Sequence, residues 1–292
     1  MQQLITFESD GLKLSAVVHV PDGLKPGERR PAIIMMHGFG ANKSGGPEWV
    51  CNQFESWGYA ALRFDYRGCG DSEGERGRVI AMEEVADARN AVTYMASRPE
   101  VDPSRIALCG SSLGAGVSVY AAAVDERVAA VILENGLGHG ERIIRSMHTP
   151  ESWARFRKLM EDGQRYRERI GQSMMVHRFD IFEMPKELQV NLTSNGSLMQ
   201  FTAETAVSFF MFRPEEVIAK ISPRPILILH STRDRVCRAE EAFSLARHAE
   251  PPFELHLLDG ADHFMFVGAD PRVGSTMKSW LDKYFPCNGR SA

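Results

Sequence analysis

The sequence predicts an α/β fold: a mostly parallel sheet flanked by helices and interrupted by one mainly helical insertion. Three observations predict it. Short apolar runs alternate along the chain with longer segments of helical period. Several of those runs are continuously apolar, as in strands buried on both faces of a parallel sheet. One stretch of about ninety residues breaks the alternation, where a single strand–helix unit needs roughly thirty.

Residues 12–20 alternate and read as an early strand. Residues 32–36, Ala-Ile-Ile-Met-Met, are a continuous apolar run, and 59–64, 105–109, 128–133, 226–229 and 253–258 read the same way. Helical patterns lie between them at 47–57, 82–95, 113–123, 239–248 and 271–284. Strands alternating with helices imply right-handed crossover units and a parallel sheet. The break falls between the strands near Asn135 and Ile226. Its helical patterns cover 151–160, 163–175 and 204–212, so residues 139–215 are expected to form a lid inserted into a core of residues 1–138 and 216–292. Seven of the chain's 14 methionines fall in the lid segment, beside Phe156, Phe182, Phe201 and Phe209. The plain reading is an insertion core. Methionine also adapts to irregular shapes, which suits the wall of an apolar substrate pocket.

Bulk composition narrows the function. The 292 residues carry a net charge of −4, and the 34 Lys and Arg form no polybasic run, so no nucleic-acid footprint is expected. No apolar run is long enough to span a bilayer. The N-terminus shows no secretory pattern, and five widely spaced cysteines form no CxxC pair, which predicts a reduced, cytoplasmic chain without a zinc site or disulfide framework. The edge strands do not decide for or against a homo-oligomer.

The chemistry-bearing residues stand at strand ends. The run 105–109 enters Gly110-Ser111-Ser112-Leu113-Gly114, and a helical pattern follows at once. In a strand-to-helix turn of this G-x-S-x-G form, small flanking residues let the chain pass closely and the serine projects outward at a helix N-terminus. Ser112 has glycines at the required spacing; Ser111 has Cys109 where its glycine would stand. A serine needs a neighbouring base. Of nine histidines, His263 lies in a loop after the last strand, where active sites of open α/β sheets collect. His19, His230 and His256 fall in or at the ends of strands, His248 near a helix end, and His139, His148 and His177 in the insertion. The base needs an acid. Asp234 follows the penultimate strand; Asp259 is its main rival, and Asp262 adjoins His263, where neighbouring side chains diverge. After the run 32–36 comes His37-Gly38-Phe39-Gly40, whose glycines allow close backbone approach. The N–H groups of Phe39 and Leu113 are the expected oxyanion donors, and His37 is expected to be structural. The loop Asp65-Tyr66-Arg67-Gly68-Cys69-Gly70-Asp71-Ser72 reads as a tight turn held by an Asp or Arg contact.

These motifs, in this order over nearly the whole length, resemble the α/β-hydrolase superfamily. Within it the sequence is similar to the dienelactone-hydrolase-like, acyl-aminoacyl-peptidase-like and feruloyl-esterase-like branches. The resemblance implies an eight-stranded sheet and a serine hydrolase that cleaves small, partly apolar carboxylic esters with no cofactor. Amide or peptide, thioester or carbon–carbon bond hydrolysis by the same triad remain open, as does a non-catalytic binding protein on this fold. A serine nucleophile departs from the cysteine of dienelactone hydrolases and from the aspartate of dehalogenases. No subfamily motif marks the lid.

Overall fold

The computed structural model describes residues 1–184, 186–194, 196–265 and 270–287. Eight strands form one sheet in the order β1-β2-β4-β3-β5-β6-β9-β10. They are β1 (Gln2–Ser9), β2 (Leu12–His19), β3 (Arg30–Met36), β4 (Ala60–Phe64), β5 (Val101–Ser111), β6 (Val128–Glu134), β9 (Ile226–Ser231) and β10 (Phe253–Leu258). The β1–β2 and β2–β4 pairs are antiparallel and every other pair is parallel. Helices α1 (Gly46–Ser56), α2 (Ala81–Ala96), α3 (Leu113–Val124), α9 (Ala239–His248) and α10 (Pro271–Tyr284) flank the sheet. The central strands β3, β4 and β6, and β5 from Ile106 to Gly110, bury nearly every side chain, because both faces are covered there. Two apolar clusters result, one on each face.

Between β6 and β9 run α4 (Gly140–Met147), α5 (Pro150–Ile170), β7 (Met175–His177), α6 (Arg178–Ile181), α7 (Lys186–Ser194), β8 (Gln200–Thr202) and α8 (Ala203–Met211). β7 and β8 pair as a small antiparallel ribbon. Phe156, Phe182, Phe201, Phe209 and Phe212 of this segment share one buried cluster with the sheet residues Ile34, Met36 and Leu108. Among the described residues no helix is long and apolar enough to cross a membrane, and the five cysteines are free thiols.

Several elements differ from the sequence reading, which also lacked α4, α6, α7 and β8. β1 adds an edge strand whose mostly exposed side chains give no apolar run. The predicted helices 151–160 and 163–175 are in part a single helix. Gly163 does not break it; a Cβ there would collide with the Cβ of Ala203, so the glycine admits α8. The helix instead ends at Gly171, in the left-handed conformation at φ 75° that glycine favours, and Met175 begins a strand.

Glu134, the last residue of β6, is fully buried and both its carboxylate oxygens lack a hydrogen-bond partner among the described residues. Burial raises its pKa well above 4.5. A raised folded pKa gives stability that is present below the unfolded pKa and is lost as pH rises. Glu134→Gln is therefore expected to raise the thermal midpoint at pH 7.5, with the gain shrinking toward pH 4.5. A pH-independent difference would contradict this account of Glu134.

Candidate active site

The turn between β5 and α3 is set by backbone crowding. A Cβ on Gly110 would fall onto the Gly114 carbonyl, and one on Gly114 would lie 2.5 Å from the carbonyl oxygen of Met36 and 2.6 Å from that of His37. No side chain larger than hydrogen fits at either position. Ser112 sits between them at φ 57°, ψ −117°, a strained conformation for a residue with a Cβ. Its N–H donates to the Glu134 carbonyl at 2.9 Å, and its own carbonyl accepts from Ala115 N–H at 3.1 Å, starting α3. The N–H of Leu113, first residue of that helix, has no acceptor among the described residues, so the positive helix end faces the serine.

Asp234 lies in the loop between β9 and α9, and its side chain is wholly buried. Its Oδ1 accepts from Val236 N–H at 2.7 Å and Cys237 N–H at 2.8 Å; its Oδ2 is 2.7 Å from His263 Nδ1. A carboxylate there keeps the proton on Nδ1 and leaves Nε2 free to accept one. The rival acids are engaged elsewhere. Asp259 Oδ1 accepts from Thr232 Oγ1 at 3.0 Å, and Asp262 Oδ1 accepts from Phe264 N–H at 2.8 Å. Asn135 anchors the histidine loop. Its Nδ2 donates to the carbonyls of Asp262 and His263, while its Oδ1 accepts from Ser231 N–H at 2.8 Å. The sequence reading passed over Asn135; its only signal was a polar residue just after the apolar strand β6.

Ser112, His263 and Phe39 line one cavity. No hydrogen bond joins Ser112 Oγ to the imidazole in this structure. The hydroxyl instead stands 3.9 Å from Cys237 Sγ, a residue the sequence reading did not single out. Burial pushes the Cys237 thiol well above its ordinary pKa, so it remains protonated beside the serine. Serine–base bonds are commonly long before substrate arrives.

The loop after β3 approaches the serine from the other side. A Cβ on Gly38 would lie 3.3 Å from Ser112 Cβ. The Gly38 carbonyl is 2.8 Å from His37 Nδ1 and accepts from Ala41 N–H at 3.2 Å. Because the peptide is trans, fixing that carbonyl sends the Phe39 N–H the opposite way, and that N–H has no acceptor among the described residues. His37 is buried, accepts from Tyr66 N–H at Nε2, and is held below its ordinary pKa by burial, the structural role its sequence position suggests. Asp65 is likewise a loop anchor, 2.7 Å from Lys43 Nζ and accepting from Asp71 N–H at 2.9 Å.

The rest of the wall is largely apolar. Ile143, Phe182, Met184, Leu192, Phe209 and Val236 line the cavity together with Asn42, Ser44 and Pro47. Among the described residues no Asp or Glu lines it, and its one guanidinium is that of Arg178.

A serine on a strand–helix elbow, with a carboxylate-bound histidine at the sheet's C-terminal edge, defines the class of the α/β-hydrolases. A family model described as serine aminopeptidase, S33 matches residues 27–270, and the chain belongs to that family and is a hydrolase of that superfamily. It is 28% identical over 278 residues to polyketide transferase ATR5 of Stachybotrys chlorohalonatus, covering 89% of each protein. The structure of the α/β hydrolase GrgF from Penicillium sp. sh18 superposes with a TM-score of 0.83 at 24% identity, covering 97% of this chain and 99% of that one. Est1E of Butyrivibrio proteoclasticus, solved with ferulic acid bound, superposes at 0.72 and 18% identity, covering 96% of this chain and 98% of that one.

The elbow packing predicts a contrast between glycines. Gly114→Ala should destabilise the protein by at least about 2 kcal/mol in urea unfolding, through forced backbone separation. Gly23→Ala, at positive φ but with nothing within 4 Å, should cost only about 1 kcal/mol. Equal costs would contradict the crowding argument.

Proposed function

We propose that the protein hydrolyses carboxylic esters of small, partly apolar molecules through an acyl-enzyme on Ser112. The observation that carries this reading is His263, 2.7 Å from the buried Asp234 carboxylate and lining the same cavity as the elbow serine. His263 Nε2 takes the Ser112 proton as Oγ attacks the ester carbonyl. The N–H groups of Phe39 and Leu113 stabilise the tetrahedral oxyanion, and the imidazolium then protonates the departing alcohol. Water, activated by the same nitrogen, attacks the acyl-serine and frees the acid. Residues 139–215 serve as a cap that keeps the acyl chain out of water. The free thiols fit the reducing cytoplasm, where we place the protein.

The cavity wall favours esters over short peptides. A peptide's free amino terminus needs a carboxylate partner, and the described wall offers none while it carries Arg178. A second reading is transfer of the same acyl group to a bound alcohol instead of water, as the likeness to a polyketide transferase suggests. It uses the same acyl-serine and differs only in the acceptor.

A fluorophosphonate is expected to label the wild type and not Ser112→Ala. On p-nitrophenyl butyrate, Asp234→Asn should lower kcat by about 10⁴-fold through loss of the histidine tautomer. Aminoacyl anilides should be turned over far more slowly than the ester. Absence of labelling, or full activity of Ser112→Ala, would refute the reading.

A further inference from the structure

Arg178 opens α6 in the segment between β6 and β9, and only 3% of its surface is exposed. No carboxylate pairs with it among the described residues. Its Nη1 donates to the Leu198 carbonyl at 2.8 Å and its Nη2 to the Phe39 carbonyl at 2.5 Å, while Nε has no acceptor among the described residues. Its Cζ lies 5.2 Å from the Phe39 ring centroid and 5.6 Å from that of Phe201. Burying a cation without a counterion costs several kcal/mol. Burial lowers its pKa to about 10, which still leaves it charged at neutral pH. The surrounding cluster is aromatic, and an apolar side chain would fill this place at lower cost. The cation's value must therefore lie in what it touches.

What it touches is the loop after β3. The Phe39 ring stands 4.4 Å from Phe201, 4.9 Å from Phe182 and 5.7 Å from Phe209, so the inserted segment encloses it. Leu198 N–H donates to the Gly40 carbonyl at 2.8 Å, and a Cβ on Gly40 would lie 2.5 Å from the Phe201 ring. The peptide after Phe39 is thus held by the lid through Arg178, and the peptide before it is held by His37 and Ala41. We infer that Arg178 is a positioning residue for the oxyanion hole: by holding the Phe39 carbonyl from the lid side it restrains the Phe39 backbone from its C-terminal end, while His37 and Ala41 hold the peptide that carries the Phe39 N–H. This rests on the proposed role of Phe39 as an oxyanion donor. A donor fixed in place before reaction strengthens transition-state binding and leaves ground-state binding little changed.

The test compares Arg178→Met and Arg178→Lys with the wild type on p-nitrophenyl butyrate and on an ester whose acyl chain ends in a carboxylate. Arg178→Met is expected to lower kcat on both by about 10- to 100-fold, the scale of a misplaced group, with KM changed less than about 3-fold. Affinity for an alkyl trifluoromethyl ketone, which forms an oxyanion on Ser112, should fall by the same factor as kcat/KM. Affinity for the matching methyl ketone should not change. Arg178→Lys should recover part of kcat, since an ammonium can still donate to one carbonyl. If circular dichroism shows Arg178→Met unfolded, the Lys variant decides by the same kcat–KM split. A rise in KM at unchanged kcat, equal weakening of both ketones, or a loss confined to the carboxylate-bearing ester would overturn the inference; the last would make Arg178 a reader of substrate charge. A wild type that no fluorophosphonate labels would instead overturn the proposed function.

Discussion

Gly114 lets the start of α3 lie against the end of β3, and Gly110 lets the end of β5 lie against α3, more closely than any side chain would permit. This contact at the carbonyls of Met36 and His37 holds Ser112 at positive φ, with its hydroxyl on the cavity and its N–H tied to β6. The strain of that conformation, of order 1–3 kcal/mol, is offset by the packing of the apolar helix α3, most of whose side chains are buried. The same approach brings the Gly38 turn against Ser112, so one backbone contact arranges both sides of the cavity.

A second layer of structure depends on that arrangement. The Phe39 ring reaches away from the serine into aromatic side chains contributed by the segment between β6 and β9. The chain that shapes the apolar wall therefore also grips the loop beside the nucleophile. At the base of that segment, Glu241 accepts from the N–H groups of Gly138 and His139 and pairs with Arg142, which also pairs with Glu215. This half-buried ionic network ties the start of α4 and the residues that follow α8 to α9. In our reading, wall composition and oxyanion geometry are thus linked mechanically, and a change in the segment between β6 and β9 would alter rate as well as substrate preference.

Much of this was legible in the sequence because it is local. The G-x-S-x-G turn, the His-Gly pair after an apolar strand, and the acid and histidine after the last two strands each announce themselves within a few residues. The choice of Asp234 over Asp259 followed from strand order, and the structure places Asp234 against His263. Elements without a local signature escaped. β1 is an edge strand, β7 and β8 are three residues each, and the gap read at 161–162 between two helical patterns is continuous helix in α5. Arg178, Cys237 and Asn135 were missed for the same reason. Their partners lie 139, 125 and 128 residues away, and only the packed fold brings those groups together.

The central claim is that Ser112 carries the acyl group. The most direct measurement is intact-protein mass spectrometry of an acid-quenched reaction with p-nitrophenyl acetate, followed by peptide mapping. The account predicts a single acetyl adduct on the peptide containing Ser112, absent from Ser112→Ala and longer-lived when His263 is replaced by alanine and the serine is acylated by a more reactive donor. An adduct on Cys237, on a lysine, or on no residue despite turnover would contradict it.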